Sequence, residues 1–336
     1  MSFHCSQQDC PNNKAQFPPE AAEKFAHKCF LCESELVQPD LTIENLLDGV
    51  NSLPIALQIL PRLQALLNDE NVSMTDIISV TRIDASLVTR IISVSNTAYY
   101  AMAYGGPCST LEEALNRIGF IKAHRVVGNV AAKEIFQKNL PLYELTGEQM
   151  WQSSVRSAFC MQALVPRMKV SSESYENPDA STAYTVGLLA PIGKMVISHA
   201  QESHNFQALQ NVQTPITREV EKKVLGFTNP DVASSLLQRW NFEDSVTIPI
   251  QFQDRPLKST GDRPLACLLS LVCNAVDVFP VSDVARDLNS MASDFRPDSQ
   301  LMAAAGISKM DLLNEITRSI WFVGKGGKQS PLPELN

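Results

Sequence analysis

The feature that most constrains this chain is a series of helix-start signals running from residue 41 to residue 323, with no long stretch of apolar–polar alternation between them. Ser73 is followed three residues later by Asp76, and Thr146 by Gln149, each just ahead of an apolar run. That spacing lets a hydroxyl accept from a free first-turn N–H while the later side chain bonds back. Asp84 precedes Leu87, Arg90, Ile91 and Val94, and Ser109 precedes Leu111, Ala114, Leu115 and Ile118, both at one-faced helical spacing. Gly119 is a natural stop. Asn229-Pro230-Asp231 opens a helix with Val232, Leu236, Leu237 and Trp240 inward, and Pro61 predicts a kink or restart. A further helix is predicted from about Thr182 to Gln201, after a polar interruption over 170–181. Thr247–Ile250 is too short to read as a strand.

The expected fold is therefore all-α. A multi-helix body spans 41–323, with Pro141 and Gly147 marking a boundary near Leu140–Thr146 between sub-bundles 41–140 and 141–323. A Cys-rich polar segment, 1–40, precedes it, and a tail of Gly, Pro and charge, 324–336, follows. Hydrophobic residues make up 44% of the chain and aromatics only 7%, so the core is aliphatic, as packed helices prefer. The net charge of -8 and the lack of any Lys/Arg run argue against nucleic acid as a partner. The polar N-terminus offers no secretory apolar region, and charges break the apolar stretches before the ~20 residues a membrane span needs. The expected compartment is the cytoplasm, where the eight cysteines stay reduced.

Four of those cysteines fall in the first 32 residues. Cys5-x4-Cys10 and Cys29-x2-Cys32, 18 residues apart, resemble the two knuckles of a zinc ribbon. The large apolar residues there are essentially Phe3, Phe17, Phe25 and Phe30, too few for a core, so a structural zinc would supply what burial cannot. His4 and His27 are possible replacement ligands. A redox-active Cys29/Cys32 pair, an iron–sulfur cluster and a tail of free thiols are the alternatives. Cys160, Cys267 and Cys273 lie in apolar helical stretches and read as core. Cys108, after Gly105-Gly106-Pro107, reads as an exposed loop cysteine, and His124, His199 and His204 as satisfied or solvent-facing.

Four segments, in order, carry a family resemblance. They are Leu53-Pro54 with Leu66-Leu67-Asn68-Asp69, then Ile83-Asp84-Ala85-Ser86-Leu87, then Ser95-Asn96-Thr97-Ala98-Tyr99, then Ala114-Leu115-Asn116-Arg117-Ile118-Gly119. From about Leu53 to Phe279 the chain resembles the HDOD domain, the HD-related output domain of bacterial signalling proteins. In the second half, Gly187-Leu188-Leu189-Ala190-Pro191-Ile192-Gly193-Lys194 stands where catalytic relatives read Gly-Leu-Leu-His-Asp-Ile-Gly-Lys. Trp151-Gln152-Ser153-Ser154 is similar to Trp-x-His-Ser, Leu225-Gly226-Phe227-Thr228-Asn229 to Leu-Gly-x-x-His, and a later His-His region is roughly Gln253-Asp254.

The resemblance implies a metal site at Ser153, Ala190, Pro191 and Asn229, and the residues there deny it. Ala190 has no lone pair, Pro191 has neither a carboxylate nor an N–H, and Ser153 and Asn229 are poor ligands for transition metals. Without the metal the reaction loses both its nucleophile and its Lewis acid. The expectation is a non-catalytic regulatory module, not an enzyme, acting through a protein partner. An HD-like phosphohydrolase of nucleotides or cyclic dinucleotides with an atypical site is the alternative, and a nucleic-acid-binding protein a third reading. Asn96 and Tyr99 are the candidate partner or ligand contacts, with helix capping and chain reversal as the competing role.

Overall fold

The computed structural model describes residues 3–5, 7, 9–13, 15, 17, 19–34, 36–37, 42–48, 55–67, 72–97, 100, 106–169, 178–204, 212–282 and 287–324. Tyr99, the polar stretch 170–177, Leu53-Pro54 and the tail beyond Gly324 lie outside the described residues.

Helices account for nearly all regular structure. The N-terminal segment has a two-stranded antiparallel pairing of β1 (His4–Cys5) with β2 (Leu36–Val37), and a short α1 (Pro19–Lys24). The body then runs through α2 (Ile43–Asp48), α3 (Ile55–Leu67), α4 (Met74–Thr81), α5 (Ala85–Ser95), α6 (Leu111–Ile118) and α7 (Phe120–Ile135). Its second half holds α8 (Gly147–Leu164), α9 (Ala180–Leu189), α10 (Ile192–His204), α11 (Arg218–Leu225), α12 (Asn229–Arg239) and α13 (Asp244–Gln251). Last come α14 (Arg263–Val278), α15 (Leu288–Asp294), α16 (Ser299–Ala305) and α17 (Lys309–Gly324).

The caps explain where several of these begin. At α4 the Asp76 N–H donates to Ser73 Oγ at 3.2 Å, and the Ser73 N–H donates to Asp76 Oδ2 at 3.0 Å. Thr146 and Gln149 form the same reciprocal pair at α8. At α6 the cap is Thr110, one residue later than expected from Ser109, because the backbone is still extended at Thr110 and its hydroxyl accepts from the Glu113 N–H. Pro61 sits inside α3. Thr247–Ile250 belongs to α13, a helix with Pro249 within it.

Helix α8 is the hub, packing on α9, α14 and α17 and touching α7. Its residues from Ser154 to Leu164 are all buried. Its closest neighbour, α9, is buried from Ser181 to Leu189. Gly187 permits the approach, since a Cβ there would stand 2.7 Å from the backbone of Ser157 and Ala158. One contiguous core of buried side chains extends from Leu46 in α2 to Val323 in α17. A second, small cluster comprises Cys5, Cys10, Ala22 and Cys29, with Phe3 and Phe17 against it.

The helix predicted across Thr182–Gln201 is two helices. The Ala190 N–H closes the last turn of α9 on the Val186 carbonyl, and Pro191 accepts the first bond of α10, from the Lys194 N–H. Proline has no N–H with which to continue the ladder, so the chain restarts there. The Leu188 carbonyl, near the end of α9, accepts instead from Ser154 Oγ at 2.5 Å. Ala180–Gln201 is nonetheless the one stretch among the described residues with the length and apolarity of a membrane span, and 78% of it is buried within the fold. Lys194 is the one Lys, Arg, Asp or Glu within it.

Candidate functional sites: a four-cysteine cluster and a polar cavity

The four N-terminal cysteines converge. Cys5 Sγ lies 3.3 Å from Cys32 Sγ, Cys10 Sγ lies 3.8 Å from Cys29 Sγ, and all four sulfurs fall within 4.8 Å of one another. Tetrahedral zinc–thiolate bonds of about 2.3 Å set sulfurs about 3.8 Å apart, so the group has the size of a single ion. Among the described residues this is the one cluster of three or more His, Cys, Asp or Glu side chains that could hold a metal. The local fold is built around it: left-handed backbone at Ala26 and His27 turns the chain into the second knuckle, where the Glu33 N–H donates to the Cys29 carbonyl.

The thiols differ in acidity. Burial pushes the Cys29 thiol up, but donation from Asn12 Nδ2 at 3.3 Å and from the Leu31 and Cys32 amides outweighs it and brings the group down to about 6. Hydrogen bonds from Ser34 lower Cys32 as well. Burial raises Cys5 and Cys10. Two thiolates form readily, and the other two need a cation nearby. His27 is exposed and stacks beside Phe3, with ring centroids 5.1 Å apart, while the side chain of His4 lies outside the described residues.

In the second half, a cavity of about 270 Å³ opens between α10, α11 and α14, walled by Tyr143, Lys194, Glu221, Asn229, Gln253 and Asp277 among others. Of the four positions implied as former metal ligands, only Asn229 lines it. Ala190 is 1% exposed and part of the core; Ser153 and Pro191 are half-buried elsewhere. Gln253, from the expected His-His region, is also in the wall.

The floor of this cavity is a closed polar network. The Glu221 carboxylate is fully buried and accepts from the Tyr143 hydroxyl at 2.7 Å and the Asn229 N–H at 2.6 Å. Asn229 Nδ2 adds bonds to both of its oxygens. Burial raises the Glu221 pKa, and these donors pull it back. Burial and the neighbouring carboxylate hold Tyr143 well above its ordinary value, so it stays a donor. Gly193 lets α10 press onto the start of α12, where a Cβ would meet the Asn229 carbonyl at 1.9 Å. At the mouth, Arg218 pairs with Asp254, and Lys194 Nζ sits 5.6 Å above the Tyr143 ring. Burial pushes the Cys273 thiol up to about 12, leaving it neutral.

The Gly-Leu-Leu-x-x-Ile-Gly-Lys frame lies within residues 53–256, which match the HDOD domain. The chain belongs to the HDOD family. Three solved structures share the HDOD fold. A candidate signal transduction protein from Marinobacter aquaeolei has a TM-score of 0.61 at 22% identity, covering 86% of this chain and 61% of that one. A candidate phosphohydrolase from Shewanella amazonensis has a TM-score of 0.57 at 21% identity, covering 84% and 95%. An HDOD domain protein with unknown function from Geobacter sulfurreducens has a TM-score of 0.56 at 16% identity, covering 88% and 98%. At these identities the likeness is one of fold. An uncharacterized protein of Treponema pallidum is 22% identical over 210 residues, which span 61% of this chain and 38% of that protein.

Elsewhere in the HDOD body the structure gives Asn96 its chain-reversal role and revises the readings of Cys108 and His124. Asn96 clasps the following loop: its Nδ2 donates to the Cys108 carbonyl at 2.8 Å and its Oδ1 accepts the Cys108 N–H at 2.7 Å, which uses the amide in chain reversal. Cys108 is buried, not exposed, with its sulfur 2.8 Å from Ser95 Oγ. His124 is fully buried rather than satisfied or solvent-facing. Its Nε2 lies 3.5 Å from Thr185 Oγ1, and Nδ1 has no partner among the described residues. The buried Arg125 guanidinium lies beside it on α7, bonded to Gln162, and the Tyr184 ring of α9 meets the imidazole edge-on with centroids 5.5 Å apart while its hydroxyl donates to the Arg125 carbonyl. Cys160 and Cys267 are core residues, as expected.

Proposed function

We propose that this HDOD protein is a non-catalytic regulatory module of bacterial signal transduction that works by binding a protein partner. The observation that carries this reading is the Glu221–Tyr143–Asn229 network. The one carboxylate at the base of the cavity is occupied by three donors from within the protein, and the position implied for a His ligand is one of those donors. A metal entering here would have to strip bonds from a buried carboxylate, and would find no imidazole in return. The likeness to a candidate signal transduction protein accords with the reading. The likeness to a candidate phosphohydrolase keeps the phosphohydrolase reading as the competitor.

In the same reading the cysteine cluster is a structural zinc site held by Cys5, Cys10, Cys29 and Cys32. Four thiolates in a closed tetrahedral set suit zinc, and they leave no open position for substrate. The ion would tie both knuckles and β1–β2 together in a segment whose own core is four small side chains. The protein acts in the cytoplasm, where these thiols stay reduced.

The test is incubation of the whole chain with cyclic dinucleotides, nucleotides and a chromogenic phosphodiester, with manganese, iron or magnesium present. The expected result is no turnover above a protein-free control. Turnover that disappears in Glu221→Gln would overturn the non-catalytic reading.

A further inference from the structure

Two opposite charges line the cavity and do not neutralise each other. Lys194, on α10, has no acidic partner among the described residues; its ammonium rests over the Tyr143 ring. Asp277, on α14, has no basic partner among the described residues. Both act electrostatically on the Cys273 thiol between them, as does Arg218. Arg218 is itself matched by Asp254, so the uncompensated pair is Lys194 and Asp277. Gln253, 3% exposed, adds to the wall a side-chain oxygen with no hydrogen-bond partner among the described residues. The Glu221 carboxylate, by contrast, has its donors within the protein.

We propose that this cavity binds a small zwitterion of amino-acid size, its anionic group facing Lys194 and its cationic group facing Asp277. The inference rests on the reading of the protein as non-catalytic, and it names what this cavity holds. Charge decides the class. A simple anion would answer Lys194 but meet Asp277 and the buried Glu221, and a simple amine would answer Asp277 but meet Lys194 and Arg218. A molecule carrying both charges answers each, and its N–H groups can serve the Gln253 oxygen. Size points the same way. About 270 Å³ lies just below the usual span of ligand sites, about 300 to 1,000 Å³, and suits a molecule of amino-acid size better than a cyclic dinucleotide. Bound between Lys194 of α10 and Asp277 of α14, such a ligand would bridge the two helices, which gives the module an input separate from its partner.

Isothermal titration calorimetry on the whole chain, with no metal and no phosphoester added, tests this. The probes are the common α-amino acids, with two control arms: the same molecules lacking the amino group, and the same molecules lacking the carboxylate. At least one amino acid should bind, and its two single-charge counterparts should bind tenfold more weakly or worse. Lys194→Met and Asp277→Asn should each weaken binding tenfold or more, Lys194→Arg should retain it within a few-fold, and thermal unfolding without ligand should be unchanged in all three. The proposal is overturned if no amino acid binds, if a single-charge counterpart binds as well as its parent, or if both neutralising variants bind like the wild type. The hydrolysis assay shares no reagent with this titration, so a failure here leaves the non-catalytic reading intact, and turnover there leaves this result unaffected.

Discussion

Asn229 donates to Glu221 from both its backbone and its side chain, the N–H at 2.6 Å and Nδ2 at 3.1 and 3.0 Å from the two carboxylate oxygens. A residue at the start of α12 thereby fixes a charge buried in α11, and the pair braces the floor of the cavity.

Replacing Asn229 with Ala should cost about 1–3 kcal/mol of stability, because a buried carboxylate would lose the donor that reaches both its oxygens. The cost should depend on pH. Burial raises the Glu221 pKa above its ordinary 4.5, so the stability this group contributes is complete below that value and lost as pH rises through the raised pKa. Removing a donor to the charged form raises the pKa further. The variant should therefore lose more at pH 8 than at pH 5, and denaturant melts showing equal losses at the two would refute the role given to the pair.

Rebuilding the family's sequence at the break between α9 and α10 should not restore chemistry. Ala190 is 1% exposed, so a His there overpacks the core at a cost of about 1–3 kcal/mol. Neither Ala190 nor Pro191 lines the cavity. Ala190→His combined with Pro191→Asp should unfold at lower denaturant concentration and show no turnover of a chromogenic phosphodiester with manganese. Any metal-dependent turnover by the double variant would count against the geometry described.

Purified protein should contain about one zinc per chain by elemental analysis. Cys29→Ser with Cys32→Ser should release it and open residues 1–40 to protease, with the helical circular dichroism unchanged, since the segment has its own separate small cluster. Ligand thiols must lose protons to bind, so the wild type should give up zinc as the pH falls. Iron in place of zinc, or a metal-free chain with the same digestion pattern, would correct the assignment.

His124 should make the fold acid-sensitive. Full burial, with Arg125 alongside, depresses its pKa to about 4 from the ordinary 6.5. The unfolded chain takes up a proton that the folded chain refuses, so stability is present above pH 6.5 and is lost as pH falls towards 4. At 1.36 kcal/mol per unit the loss is about 3 kcal/mol. His124→Gln should flatten the stability profile between those values, and an unaltered slope would show that other groups carry it.

Local signals were read well and distant ones poorly. The capping boxes at Ser73/Asp76 and Thr146/Gln149 were legible because the whole interaction lies within four residues. The cysteine cluster was legible because thiolate spacing encodes a knuckle. Glu221 and Tyr143 were missed: they are 78 residues apart, and a Glu between Val220 and Lys222 on an amphipathic helix looks like any solvated acid. Pro191 marks a bend or a fresh start in the sequence, and the structure begins a new helix just after it, although apolar periodicity on both sides reads as one helix from Thr182 to Gln201. Cys108 and His124 failed for a shared reason, that burial is decided by which helices arrive from elsewhere in the chain.

The contact of Arg156 with Ser319 joins residues 163 positions apart, Nε to Oγ at 3.2 Å, and ties the hub helix to the last of the described helices. As the chain leaves the ribosome, α8 and the apolar stretch that follows it are made long before α14 and α17, which cover them. For that interval the most water-averse surface of the protein has no native partner. The nascent chain is then a natural client for whatever machinery shields unassembled apolar helices, and losing α17 would prolong that exposure throughout the protein's life.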